Sequence, residues 1–181
     1  NFIIGFANLV FGRSAGGPAK VSVLARGLMG SLSGSAVANA LATGSFTIPM
    51  MKSSGFRPVV AGGITAAAAS GGALVPPIMG AGAYMMLDLI PEIEFIQIAK
   101  SALIPAILYY ISILLIVHFY AKKLGGAATS RLTEEQPEVQ KVSIYEGIVF
   151  FGALGALIFF LILGRTPYRS VAYSLEIILL L

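Results

Sequence analysis

Apolar runs alternate along this chain with short polar or Gly/Pro-rich interruptions, and the lengths of the runs are the first guide to the fold. Residues 2–11 are apolar and close on Gly12-Arg13-Ser14-Ala15-Gly16-Gly17-Pro18, a cluster of loop formers. Two runs follow, 19–32 and 37–51. At about 14 and 15 residues, each is shorter than the roughly 20 needed to cross a bilayer. With Ser33-Gly34-Ser35 between them they predict a re-entrant helical hairpin, and Pro49 suits a second arm near its end. The connector 52–58 is polar and basic. Residues 59–90, about 32 long, exceed one straight crossing. Gly71-Gly72 and Pro76-Pro77 interrupt them, which predicts two half-helices joined by an unwound segment. Asp88, Glu92 and Glu94 flank Pro91 and mark an exit to solvent. Residues 95–120 and 144–163 read as plain spanning helices, the first with Pro105 as a possible kink and Lys100 placed to snorkel. The charged stretch 121–142 reads as an extramembrane loop, and 171–181 begins one more helix.

Composition agrees with a membrane class. Hydrophobic residues make up 57% of the 181 and charged residues 11%, against about 25% charge in soluble domains. Mean hydropathy is +0.89. The chain has no cysteine, hence no disulfide framework or thiolate chemistry. Its net charge of +4 is spread over loops and helix ends, without the basic face that nucleic-acid binding needs. No charged stretch, short apolar core and cleavage site mark a signal peptide. Both ends lie inside apolar sequence, as expected of a piece of a longer polytopic protein. Lys52 and Arg57 in one connector, the acidic 88–94 loop, and Lys122, Lys123, Arg131 and Lys141 in the next alternate in sign. By the excess of Lys and Arg on cytoplasmic loops, the hairpin base and 121–142 face the cytoplasm. Arg165 and Arg169 then fall outside, against that rule.

One stretch departs from ordinary spanning sequence. Residues 31–77 are dominated by Gly, Ala, Ser, Thr and Pro, which at membrane depth means close approach of backbones to one another or to a ligand. Breaks in helices there are tolerated only where they are buried or line a cavity. The hairpin tip offers Ser31, Ser33 and Ser35 hydroxyls, a flexible Gly34, and Asn39 one turn on. Its second arm opens with unpaired N–H groups and a positive dipole end that suit a carboxylate. The carbonyls of the segment Gly71–Val75, those of Gly71, Gly72 and Val75 among them, are freed where Pro76 and Pro77 cannot donate. Thr43, Thr47, Thr65 and Ser70 extend a set of neutral oxygens, which favours Na⁺ over Ca²⁺ or Mg²⁺. Arg26, the charge deepest in a first arm that opens with Lys20, is a candidate to neutralise an anionic substrate, to snorkel, or to pair with an acid elsewhere in the protein. The alternative is helix packing alone: Gly30 and Gly34 have the spacing of helix dimers that bind nothing. A channel pore loop is a third reading, without a visible filter repeat. His118 beside Lys122 reads as a wetted interfacial histidine, and Tyr109-Tyr110 as packing or belt residues. No nucleotide-binding loop and no hydrolase constellation is present, so the chain reads as a non-enzyme.

Ser33-Gly34-Ser35-Ala36-Val37-Ala38-Asn39, Thr43-Gly44-Ser45-Phe46-Thr47-Ile48-Pro49, Gly55-Phe56, and Ser70-Gly71-Gly72 leading to Val75-Pro76-Pro77-Ile78-Met79-Gly80 occur in order. Over about residues 16–120 they resemble the large membrane subunit of tripartite ATP-independent periplasmic (TRAP) transporters, in wording nearest the fused type. The resemblance implies an all-α, elevator-type, Na⁺-coupled importer of organic acids in the inner membrane. A periplasmic solute-binding protein, in fused members often of the TAXI type, would deliver the substrate, and small-subunit helices would be fused upstream. Residues 1–18 would be the end of a transmembrane helix and a loop. Residues 19–90 would be part of the transport domain, with the re-entrant hairpin at 19–51 and the broken helix at 58–90. A transmembrane helix at 91–120, a cytoplasmic loop at 121–142 and a further helix with the start of the next at 143–181 complete the chain. Carried over by position, Ser33, Gly34, Ser35 and the Gly71, Gly72 and Val75 carbonyls would hold Na⁺, with Asn39, Ser35, Thr43 and Arg26 on the substrate side. Arg26 stands where the family pattern has a small residue, and Thr65 where many fused members have an acid.

Overall fold

A computed structural model describes residues 2–11, 14–90, 92–124 and 144–180. Eight α-helices and one 3₁₀ turn make up the described residues, with no strand among them. They are α1 (Phe2–Phe11), α2 (Gly17–Ser33), α3 (Ala36–Ser53), α4 (Pro58–Gly71), the 3₁₀ turn Gly72–Leu74, α5 (Ala81–Leu89), α6 (Phe95–Lys123), α7 (Ile144–Ile162) and α8 (Pro167–Leu180). Most of the predicted 121–142 loop lies outside the described residues; its first three residues belong to α6.

The hairpin forms as its local chemistry directs. Pro18 sits in the first turn of α2, where a missing N–H costs nothing, so the helix starts at Gly17 rather than at residue 19. It ends at Gly34, whose φ of 61° is left-handed and whose N–H returns to Gly30 O. Ser35 then caps α3, its hydroxyl accepting the Ala38 N–H. Pro49 does not stop this helix, which runs on through Ser53. The arms are therefore 17 and 18 residues long, about 26 and 27 Å, close to the roughly 30 Å of a hydrocarbon core. Both arms are longer than the 14 and 15 residues expected, yet each remains below the roughly 20 of a full crossing.

The predicted break is present but begins later. Gly71 is still helical, the chain tightens into the 3₁₀ turn, and regular helix resumes only at Ala81. Between them the Pro76–Pro77 peptide is cis and Met79 takes a left-handed φ of 56°.

Small residues bring these two irregular segments together. A Cβ on Gly30 would overlap the Gly72 backbone, and one on Gly34 would overlap the Met79 carbonyl. The Ile78 N–H donates to Ser31 O at 3.2 Å and the Gly80 N–H to Ala73 O at 2.8 Å. Below this crossing Ala19, Val23, Met51, Phe56, Ala61, Ile64, Ala68, Ile113 and Val117 form the main core between α2, the end of α3, α4 and α6. A second cluster, with Met79, Phe95, Ala99, Leu157 and Leu161, joins the break to α6 and α7. The 29-residue α6 is the one helix among the described residues long and apolar enough to cross a membrane. Ala99, Ala106, Ile113, Val117 and Ala121 make its narrow buried stripe, while Leu103, Ile104, Leu108, Ile116 and Phe119 are exposed. Such a helix, apolar on its outer face, suits lipid.

Gly30→Ala in the full-length protein is expected to lower stability by about 1–3 kcal/mol, since two backbones must separate. Gly63 has open space where its Cβ would lie, so Gly63→Ala is expected to raise it by up to about 1 kcal/mol. Thermal unfolding of the purified protein in detergent should rank the melting points Gly63→Ala, wild type, Gly30→Ala; any other order contradicts the close crossing.

Candidate functional site

The residues singled out from sequence fall into two adjoining groups. The first is a buried polar circuit between the hairpin arms. Asn39, Thr43 and Thr47 recur every fourth residue on one face of α3, all at most 6% exposed. The Thr43 hydroxyl donates to Asn39 O at 2.8 Å, and the Thr47 hydroxyl to Thr43 O at 2.9 Å. Arg26 Nη1 on α2 donates to Thr47 Oγ1 at 2.9 Å, and Asn39 Nδ2 donates to Arg26 O at 2.9 Å, closing the ring. Nη1 also meets the hydroxyl and carbonyl of Ser22, one turn earlier on α2. Arg26 is wholly buried, and its Nε and Nη2 have no hydrogen-bond partner among the described residues; neither has Asn39 Oδ1. The free Nε–Nη2 edge is the one a carboxylate takes bidentately. Gly44 faces it: a Cβ there would be in ordinary contact with Nη2 at 3.5 Å and with Thr65 Cγ2 at 3.7 Å. Among the described residues Arg26 meets no acid, and every oxygen it touches is neutral.

The second group lies where the hairpin turn meets the break. Ser35 is exposed and Ser33 half-buried, and the Ser35 N–H reaches Ser33 Oγ at 3.4 Å. Gly34 faces the Met79 carbonyl, an oxygen the sequence reading missed because it lies beyond the prolines. Of the carbonyls expected to be free, Gly72 O already accepts the Val75 N–H at 3.3 Å, and Ala73 O the Gly80 N–H. The 3₁₀ turn and its continuation satisfy them, so Gly72 would have to offer its second lone pair. Ser70 is exposed, and the buried Thr65 hydroxyl is turned back onto Ala61 O. Asn39 joins the groups: its Nδ2 lies 2.7 Å from where a Gly72 Cβ would be. Among the described residues no cluster of His, Cys, Asp or Glu has metal-ligand character, so neutral oxygens are the chemistry on offer.

Other partners had no sequence signal. Lys20 Nζ lies 3.0 Å from His118 Nδ1 and 3.2 Å from Ser14 Oγ, so the partner of His118 is buried Lys20 rather than Lys122. The Ser22–Arg26 pair and the Asn39, Thr43 and Thr47 series, four apart on their helices, were open to a spacing argument. An apolar cavity of about 420 Å³ lies beside the break, lined by Val75, Pro76, Pro77, Leu103, Tyr110 and Leu161, with Lys100 at its edge.

Comparison with known proteins gives a consistent picture. The family model described as "Tripartite ATP-independent periplasmic transporter, DctM component" matches residues 1–181. The sialic acid TRAP transporter permease protein SiaT of Haemophilus influenzae is 32% identical over 134 residues, 74% of this chain and 21% of its own length. The sialic acid TRAP transporter large permease protein SiaM of Vibrio cholerae is 30% identical over 123 residues, 68% of this chain and 28% of its own. The chain thus spans between a fifth and a third of the length of these two relatives.

Thr47→Val would keep the shape of the circuit and remove an acceptor from a buried guanidinium, an expected loss of about 1.5–3 kcal/mol. Chemical or thermal unfolding checks it, and a variant as stable as wild type would mean that Arg26 draws nothing from Thr47.

Proposed function

Because the chain belongs to the DctM component of the tripartite ATP-independent periplasmic transporters, a family of permeases and not of enzymes, we propose that it is part of a Na⁺-coupled secondary transporter for organic acids. The observation that carries this reading is the meeting of the two non-helical segments. Gly34 and the Met79 carbonyl, and Gly30 and Gly72, bring the hairpin turn and the helix break into one place. Discontinuous helices that converge are the usual way such transporters build ion and substrate sites.

In this reading α2 and α3 are a re-entrant hairpin in the cytoplasmic membrane of a multi-pass protein, and they belong to a moving, elevator-type transport body. Na⁺ is the coupling ion and is carried as cargo. Ser33, Gly34, Ser35 and the carbonyls of Gly71, Gly72 and Val75 supply neutral oxygens suited to a small monovalent cation. Ser35, Asn39 and Thr43 lie on the substrate side. Arg26 stands seven residues before Ser33, about 10 Å along the helix, and its uncompensated charge makes the hairpin favourable to an anion in a low-dielectric setting. The two relatives described above are named for sialic acid, itself an acid. A periplasmic solute-binding protein, of the TAXI type in the fused arrangement, delivers the substrate, and small-subunit helices precede this stretch in the whole protein.

The test is uptake by the full-length transporter with its binding protein in proteoliposomes. Uptake is expected to require an inward Na⁺ gradient and no ATP; an unchanged rate in Na⁺-free buffer at fixed membrane potential refutes the coupling. Ser33→Leu and Ser35→Leu are expected to abolish uptake with expression intact, and Arg26→Gln to weaken it selectively for anionic substrates. A second reading, a packing module without a ligand, draws support from the glycine-on-glycine contact of Gly30 and Gly72. It predicts that the same serine substitutions change stability and leave transport per folded molecule as it was.

A further inference from the structure

Two tyrosines on α6 reach the end of α4 just before the break. The Tyr109 hydroxyl donates to Ala67 O at 2.9 Å and the Tyr110 hydroxyl to Ala68 O at 2.8 Å. Their rings come close because glycines face them. A Cβ on Gly71 would overlap the Tyr109 ring, and one on Gly27 of α2 would lie 3.2 Å from the Tyr110 ring. Tyr110 therefore touches the first hairpin arm and the broken helix at once. It also borders the cavity alongside Val75, Pro76 and Pro77.

The chemistry of the break explains why a hydroxyl is needed there. In α-helical register the Gly72 N–H would return to Ala68 O, four residues back. The chain tightens instead, and the Gly72 N–H turns to Ala69 O. Ala68 O thereby lacks the Gly72 N–H as its α-helical donor, and the Tyr110 hydroxyl donates to it. A buried carbonyl without a partner is costly in an apolar surrounding, and a buried tyrosine hydroxyl has the same need. Ala67 O lies one residue earlier, where α-helical register still holds, so the Tyr109 bond is the less necessary of the two.

We infer that Tyr110, with Tyr109 beside it, is a positioning residue for the break: it fixes where α4 stops and thereby which backbone oxygens face the hairpin turn. This goes beyond the belt or packing role that an adjacent pair of tyrosines suggests. Its consequence for ion binding rests on the Na⁺-coupled reading; its consequence for the backbone does not.

The experiment compares Tyr110→Phe and Tyr109→Phe, which keep both rings, in the full-length transporter. By hydrogen–deuterium exchange, the peptide covering 71–80 is expected to exchange about 5- to 10-fold faster in Tyr110→Phe. The rest of α4 and α6 should stay near wild type, and Tyr109→Phe should change the same peptide less. In uptake assays the half-saturating Na⁺ concentration is expected to rise about 3- to 10-fold in Tyr110→Phe, with a smaller rise in Tyr109→Phe. Wild-type exchange over 71–80 in Tyr110→Phe overturns the inference, as does acceleration spread evenly along α4 or equal in the two variants. If wild-type uptake ignores Na⁺, the coupling reading fails, and the exchange result alone still decides the role of Tyr110.

Discussion

The hairpin turn and the helix break meet backbone to backbone. Gly30 rests on Gly72 and Gly34 on the Met79 carbonyl, with no side chain between them. Main-chain groups released from a helix in an apolar surrounding must find partners inside the protein. Laying one irregular segment against another meets part of that need, since the Ile78 N–H finds Ser31 O; within the break the Gly80 N–H finds Ala73 O. The small-residue composition of 31–77 follows from this constraint. Larger side chains would hold the two segments apart and leave both sets of groups unpaired.

The buried circuit of Arg26, Asn39, Thr43 and Thr47 answers a related problem within the hairpin. Two arms built from small residues have little apolar area with which to adhere. Hydrogen bonds from one arm to the other take up part of that task, and the guanidinium adds a charge-assisted one. Leaving Nε and Nη2 without acceptors is expensive for a buried cation. A site retained at that cost is a reasonable place for anion recognition in the proposed transporter.

The straight helix α6 supplies the frame. Its buried stripe packs on α2 and α4, and its two tyrosines tie the end of α4 in place. A break in a helix is a weak point unless something external defines it. Here the definition comes from a neighbouring helix that has no break of its own among the described residues and crosses beside the hairpin.

Much of this was legible in the sequence. Gly34 and Ser35 specified the turn because one tolerates a left-handed φ and the other caps the next helix; Gly71-Gly72 and the paired prolines announced a break. The motifs in 33–80 pointed to the family that the whole-chain match then established. Element ends were less legible: Pro18 lay inside a first turn and Pro49 inside a helix, since proline is compatible with both when the lost bond is cheap or offset by packing. What only the tertiary structure decided was who partners whom. That Arg26 meets Thr47 and, among the described residues, no acid, that His118 meets Lys20, and that Tyr110 takes Ala68 O all depend on how the helices cross. A linear pattern records which face of a helix is apolar; it does not record which residue of another helix arrives opposite it, because that is set by the packing of the whole bundle.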